Sequence, residues 1–288
     1  MRHTARNTWG FSGPALLMLA PVVLYMLFLL YVPLVGTLIR SLTDPVPSFE
    51  NYVRLITTAG YLRILGSTLY VAALVTIACV FLGYPVAYAA ANRSSTWRAV
   101  ILTAVLLPFW SSMLVRSYAF MVLLGRESLL ARVLTDIGFG ELSEDLLFSR
   151  FGALVGMIYV MLPYMILSLF AVMRNVDHSY LRAARSLGAT PWQAFRRVYL
   201  PLTYSGLVGG VLMVFIVSIG FFITPALLGG RREVFIAQMI KEHVTDIVDW
   251  GFASTLAIAL LAVTGFLLYV YDRLLGADSL LAGRGSLR

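Results

Sequence analysis

Gly152-ALVGMIYVMLPYMILSLFAV-Met173 runs for 22 residues without a charge, and Asp177-HSYLRAARSLGATPWQAFRRVYLP-Leu202 follows it. The two halves obey different rules. About 20 apolar residues carry a helix across the hydrocarbon core of a bilayer, and the first half lacks the alternation that marks a barrel strand. The second half is rich in arginine and punctuated by Gly188, Pro191 and Pro201, the composition of a folded loop at a membrane surface. A charged loop hung on a continuous apolar run sets the fold class as all-α integral membrane.

The same length of apolar chain recurs in both directions. Spans are expected at about Pro14–Val35, Leu65–Ala90, Val100–Leu124, Gly152–Met173, Gly206–Ile223 and Gly251–Tyr271, six helices in one transmembrane domain over residues 1–288. The fifth is short, and Pro225 is placed to end it early. Composition agrees: 60% of residues are hydrophobic, 12% are charged and the mean hydropathy is +0.85, against about 25% charged in a soluble domain. Arg2 and Arg6 precede the first run in the manner of a signal peptide, but about 22 apolar residues exceed the h-region of such a peptide and no A-x-A site follows. A retained first span is the expectation. Cys79 is the only cysteine, which leaves no intrachain disulfide and no cysteine-based metal site.

The formal charge of +8 is unevenly spread. The two tails and the second and fourth loops hold 12 basic and 3 acidic residues, or +9, while the other three loops sum to −2 and Arg116 lies inside the third span. Basic residues collect on the cytoplasmic side of membrane proteins, so both termini and the loop 177–202 are expected there. The basic balance is an orientation signal, with no nucleic-acid partner implied. Pro45, Pro47, Phe49 and Tyr52 in the first outer loop suggest short interfacial helices on the other side.

Within the fourth loop, Asp177 or Ser179 can cap a short helix that stops at Leu187, because Gly188 suits the left-handed residue that closes a helix. Thr190 then caps a second helix, with Pro191 at its first position and Gln193 completing a capping box. On the first helix Tyr180, Leu181, Ala184 and Leu187 are apolar near helical spacing. Such a helix–turn–helix can lie on the headgroups with its arginines reaching phosphates, or present a docking surface to a partner.

The segment resembles the EAA motif of ABC-importer permeases: Glu-Ala-Ala, three residues, Gly, nine residues, then Ile-x-Leu-Pro. Here it stands as Arg182-Ala183-Ala184, Gly188 and Val198-Tyr199-Leu200-Pro201, with every interval kept. The motif's Glu is Arg182 in this chain, so any docking that uses that carboxylate must be replaced by other contacts. Leu107-PFWSSMLVRS-Tyr118, Phe221-FITPALLG-Gly230 and Gly83-YPVAYA-Ala90 are similar to the spermidine/putrescine branch of these permeases, and Phe49-Glu50-Asn51-Tyr52 to the wider family.

The resemblance implies the type I importer permease fold in a bacterial inner membrane. It also implies a second homologous permease, two ATP-binding subunits that hold the ATP and magnesium, and a periplasmic solute-binding protein. Arg182, Ala183, Ala184, Leu187, Gly188, Ala189 and Pro201 would form the ATPase-coupling site. The implied solute is a polyamine, with other amines, opines or aminophosphonates as alternatives.

What is missing from the sequence fits this division of labour. There is no G-x-x-x-x-G-K-[ST] phosphate loop, so the chain is not expected to be an enzyme or to hold a cofactor. The spans contain no Asp or Glu, which argues against an ion-coupled carrier. His3, His178 and His243 fall in three separate segments, which argues against a membrane-embedded enzyme. Trp110, Tyr118, Tyr159 and Tyr164 are candidates for an aromatic path, although each could equally pack against neighbours or lie in an interfacial belt. Arg116, counted along a straight span from Val100, falls about 24 Å across; it either snorkels to the headgroups or lies in the path. Gly152-x-x-x-Gly156 permits close helix packing, and Pro85, Pro108, Pro163 and Pro225 are placed to bend or end spans.

Overall fold

The apolar runs become helices, but two of them are broken. The computed structural model describes residues 13–138, 146–230, 233–271 and 273. In chain order its helices are α1 (Gly13–Thr43), α2 (Glu50–Thr57), α3 (Ala59–Asn92), α4 (Ser95–Leu106), α5 (Met113–Leu124), α6 (Leu129–Asp136) and α7 (Arg150–Met173). Then come α8 (His178–Ser186), α9 (Pro191–Leu202), α10 (Tyr204–Ile219), α11 (Ile223–Leu228), α12 (Ile236–Thr245) and α13 (Trp250–Tyr271). Helices α1, α3, α7 and α13 are long and apolar enough to cross a membrane unbroken; two bent pairs bring the number to six if each counts as one span. The short helices α2, α6 and α12 occupy the three connections read as outer loops.

The third span is where expectation and structure part. In place of one helix over residues 100–124, α4 passes through a 3-10 turn at Leu107–Trp110, breaks at Ser111–Ser112 and resumes as α5. The two arms meet at 101°. Pro108 cannot donate a backbone hydrogen bond, and Ser111 and Ser112 are extended, with ψ of 142° and 141°. Arg116 therefore lies in the first turn after a break, and a depth counted along a straight helix does not apply to it. The fifth span also differs: α10 stops at Gly220, before Pro225, which instead occupies the first turn of α11. Pro85 and Pro163 sit inside continuous helices, as do Pro21 and Pro33 of α1, so of the prolines named above as bending or ending spans only Pro108 accompanies a break.

Helices α3, α7 and α10 form the core. Between helices in lipid there is little hydrophobic driving force, and close packing by small residues takes its place. On α3 the buried positions Ala72, Thr76, Cys79, Gly83, Ala87 and Ala90 recur every three or four residues. Facing them on α7 is a ladder spaced by four: Met157, Met161, Met165, Leu169 and Met173, all at most 2% exposed. A Cβ on Gly83 would stand 3.0 Å from the Met165 Cγ. Helix α10 approaches through Gly206 and Gly210, where a Cβ would come within 2.9 Å of the Val172 side chain and 2.7 Å of the Met165 sulfur. The Ser168 hydroxyl donates to the Gly206 carbonyl at 3.0 Å and fixes the register.

The other end of the molecule has its own small core of Leu55, Ile236, Phe252 and Leu256. Arg54 spans it, stacking over Phe252 at 4.3 Å and pairing with Asp249 at 3.0 Å. The glycine step on α7 serves α11: Gly152 lies under the Leu146 and Leu228 carbonyls and Gly156 under the Thr224 and Leu228 side chains. A Cβ at Gly156 would meet both of those side chains at 2.5 Å, whereas one at Gly66 would meet nothing within 4 Å. Gly156→Ala should therefore cost about 1–3 kcal/mol as overpacking and lower the melting midpoint of the detergent-solubilised protein, while Gly66→Ala should leave it unchanged.

Candidate functional site

The loop between α7 and α10 is held by its own hydrogen bonds. The Asp177 carboxylate accepts the Ser179 N–H at 2.8 Å and caps α8. At the other end Gly188 adopts φ +87°, Ala189 N–H donates to the Ala184 carbonyl at 3.1 Å and Gly188 N–H to the Arg185 carbonyl at 2.9 Å. This pair of bonds is a Schellman closure and satisfies the last carbonyls of α8. Thr190 and Gln193 then cap α9 reciprocally, at 3.3 and 2.9 Å. The result is two short helices at a fixed angle, with Leu181 packed inward against the α3–α7 core.

The side chains named from the motif divide by exposure. Ala184 and Ala189 are half-buried, while Arg182, Ala183, Gly188 and Pro201 face outward. Leu187 is 89% exposed, and Trp192 beside it 67%.

An aromatic ladder, not expected from the sequence, ties this loop to α3. Trp192 stacks on Phe195 (centroids 5.7 Å apart, 20°), and Phe195 stacks on Tyr199 (5.8 Å, 20°). Tyr84 and Tyr88 of α3 meet Phe195 edge-on at 6.0 Å, and Tyr88 meets Tyr199 at 5.2 Å. Two hydrogen bonds lock the ladder: Asn92 donates to the Tyr199 hydroxyl at 3.2 Å, and the Tyr84 and Thr203 hydroxyls are 3.0 Å apart. A π-turn over Phe195–Tyr199 brings these rings into line. The sequence signal was aromatic spacing at 192, 195 and 199 against 84 and 88.

The path candidates do not all meet. Arg116 and Tyr164 line one cavity of about 260 Å³ with Phe109, Ser111, Met161 and Phe221. Tyr164 packs edge-on against Phe109 at 5.3 Å, and Tyr159 stands nearby with the Arg116 guanidinium 5.8 Å above its ring. Trp110, 78% exposed, and Tyr118, 57% exposed, are not part of the lining of that cavity. Arg116 lines this cavity and also turns back on its own helix end. Its guanidinium donates to the carbonyls of Pro108 and Ser111, the latter at 3.0 Å, and to the Ser111 hydroxyl at 3.3 Å. It closes the carbonyl end of the broken helix, where a cation is favoured by the helix dipole. Arg98 does the same for α3, donating to Ala90 and Ala91. A larger cavity of about 650 Å³ opens at the end opposite the loop, lined by Phe148, Phe222, Gln238, Lys241, Glu242 and Asp246 among others. Lys241 holds the Asp246 carboxyl below the usual carboxylate range at 3.1 Å.

Arg116→Met would leave helix-end carbonyls unpaired at a cost of about 1–3 kcal/mol, and Arg116→Lys, without the planar fork, should recover only part of it; a headgroup anchor would make the lysine variant neutral. The Asp177 carboxyl is held below its ordinary range by the Ser179 N–H and hydroxyl, and by Arg182. A lowered folded-state pKa means the cap is fully present above the unfolded value and lost as pH falls through the folded one. Hydrogen exchange should show the first turn of α8 protected down to about pH 4 and opening below it, with Asp177→Asn abolishing that dependence.

Comparison with known proteins agrees with this architecture. A family described as "Binding-protein-dependent transport system inner membrane component" matches residues 80–278. The spermidine/putrescine transport system permease protein PotB of Haemophilus influenzae is 34% identical over 226 residues, 78% of this chain and 79% of that protein. PotB of Escherichia coli K12 is 31% identical over 264 residues, 89% and 96% of the two. A bacterial alginate ABC transporter, solved with its alginate pentasaccharide-bound periplasmic protein, contains a chain that superposes with a TM-score of 0.71 over 91% of this chain and 94% of that one, at 17% identity. The chain belongs to the family of binding-protein-dependent transport system inner membrane components.

Proposed function

We propose that the chain is a permease subunit of an ATP-driven importer in a bacterial inner membrane and that its solute is a polyamine of the spermidine/putrescine class. The observation that carries the solute class is the 34% identity to a spermidine/putrescine permease across four-fifths of that protein. The chain pairs with a second permease, and a solute-binding protein delivers the polyamine to the end opposite the loop. One of the two ATPases binds the loop 177–202 from the cytoplasm, through the apolar tip formed by Leu187 and Trp192 together with Arg182, Ala183, Gly188 and Pro201.

Local chemistry supports a cation. Arg116 directs its donors at the Pro108 and Ser111 carbonyls, which leaves the aromatic faces of Phe109 and Tyr164 to meet the solute. Such a face attracts an ammonium by about 0.5–2 kcal/mol, enough to guide passage without holding the solute. At the outer cavity, Glu242 supplies a carboxylate beside Phe148 and Phe222, while Asp246 is paired with Lys241.

The complex reconstituted with its cognate binding protein in proteoliposomes should accumulate labelled putrescine or spermidine only when ATP is supplied. Uptake of an opine or an aminophosphonate with no polyamine uptake would overturn the solute class. Leu187→Glu, which leaves every buried contact intact, should reduce co-purification of the ATPase at least tenfold; unchanged co-purification would overturn the docking site.

A further inference from the structure

The loop is covalently attached to α7 and α10, so a force applied to it would ordinarily be expected to move those two helices. The ladder adds a third. Tyr84, Tyr88 and Asn92 of α3 hold Phe195, Tyr199 and Thr203 through three edge-on ring contacts and two hydrogen bonds. Tyr199 is fully buried and Phe195 half-buried, while Trp192 at the outer end of the stack is open. One continuous pile of rings thus runs from the exposed tip to the end of a 34-residue helix.

Resting on the docking reading above, we infer that Phe195 is a positioning residue that couples α3 to the loop, so that displacement of the loop by the ATPases is delivered to α3 as well as to its own flanking helices. The geometry favours a rigid tie. Stacked and edge-on rings at 5–6 Å interlock in two directions, and the hydrogen bonds at Asn92 and Thr203 pin both ends of the contact. Phe195 lines neither of the two cavities described above and lies two residues beyond the capping box, so its removal spares both the α9 cap and those cavities. Helix α3 in turn carries the small-residue stripe that packs on α7, so movement delivered to it reaches the core from a third helix besides α7 and α10.

The test uses the complete transporter purified with its ATPases, compared by hydrogen exchange with and without ATP and vanadate. In the unaltered complex, residues 84–92 and the loop should change exchange together. Phe195→Ala should keep the ATPase bound and the nucleotide-dependent change in the loop, lose the change at residues 84–92, and reduce solute moved per ATP about tenfold. Phe195→Tyr should restore both. Asn92→Leu, which removes one hydrogen bond and leaves the rings, should give an intermediate loss and guards against misfolding of the alanine variant. A change at residues 84–92 that survives in Phe195→Ala, or a loop change without one at 84–92 in the unaltered complex, overturns the coupling while leaving the docking reading standing. Failure of the unaltered chain to bring down an ATPase overturns the docking reading and this inference with it.

Discussion

The contact between the small-residue stripe of α3 and the methionine ladder of α7 is the constraint on which the rest of the molecule hangs. Helix α3 presents Ala, Cys, Gly and Thr where α7 presents Met and Leu, so the two backbones approach closely without losing contact area. Helix α10 then uses the adjoining face of α7, entering against Met165 through its own glycine. With those three helices packed together, the loop that joins α7 to α10 is held at both ends. Its aromatic underside falls onto the end of α3, and its apolar tip is left facing out.

The second requirement is that every backbone polar group near lipid finds a partner. Unbroken helices meet it internally, and Thr76 and Thr264 bond back to the carbonyls four residues earlier. Broken ones need help, and the chain supplies arginine. Arg98 closes the end of α3 and Arg116 the end of the 3-10 turn after α4. A guanidinium is suited to this because its planar fork reaches two carbonyls at once. The one charge inside the third span is thus a consequence of the break in that span.

What could be read in the sequence was mostly local. The Gly188 turn, the Asp177 cap and the Thr190–Gln193 box each depend on residues within five positions of one another, and all three are present. The break at Ser111–Ser112 was not legible, because Pro108 by itself does not decide between a kink and a continuous helix. Pro85 and Pro163 continue; what differs at Pro108 is an arginine eight residues on that turns back to bond it. The Gly206–Gly210 step and the Tyr84–Phe195 contact were hidden for a different reason, since their partners lie 34 to 111 positions away in the chain. Within the candidate site, the loop's backbone was visible in advance, while the rings that anchor it and the cavity that gathers Arg116 with Tyr164 depend on long-range packing.

The choice of methionine for that central ladder has a mechanical side. Methionine has three rotatable bonds and fills irregular gaps, whereas branched side chains would have a single fitted arrangement. Empty space in a packed interior costs about 24 cal/mol for each Å³, so a helix pair that changes its crossing angle must either open voids or refill them. Met157, Met161, Met165 and Met173 can refill them by turning rotors, against partners too small to obstruct. The same four side chains can therefore serve more than one angle between α3 and α7, and the interface acts as a bearing as much as a seam.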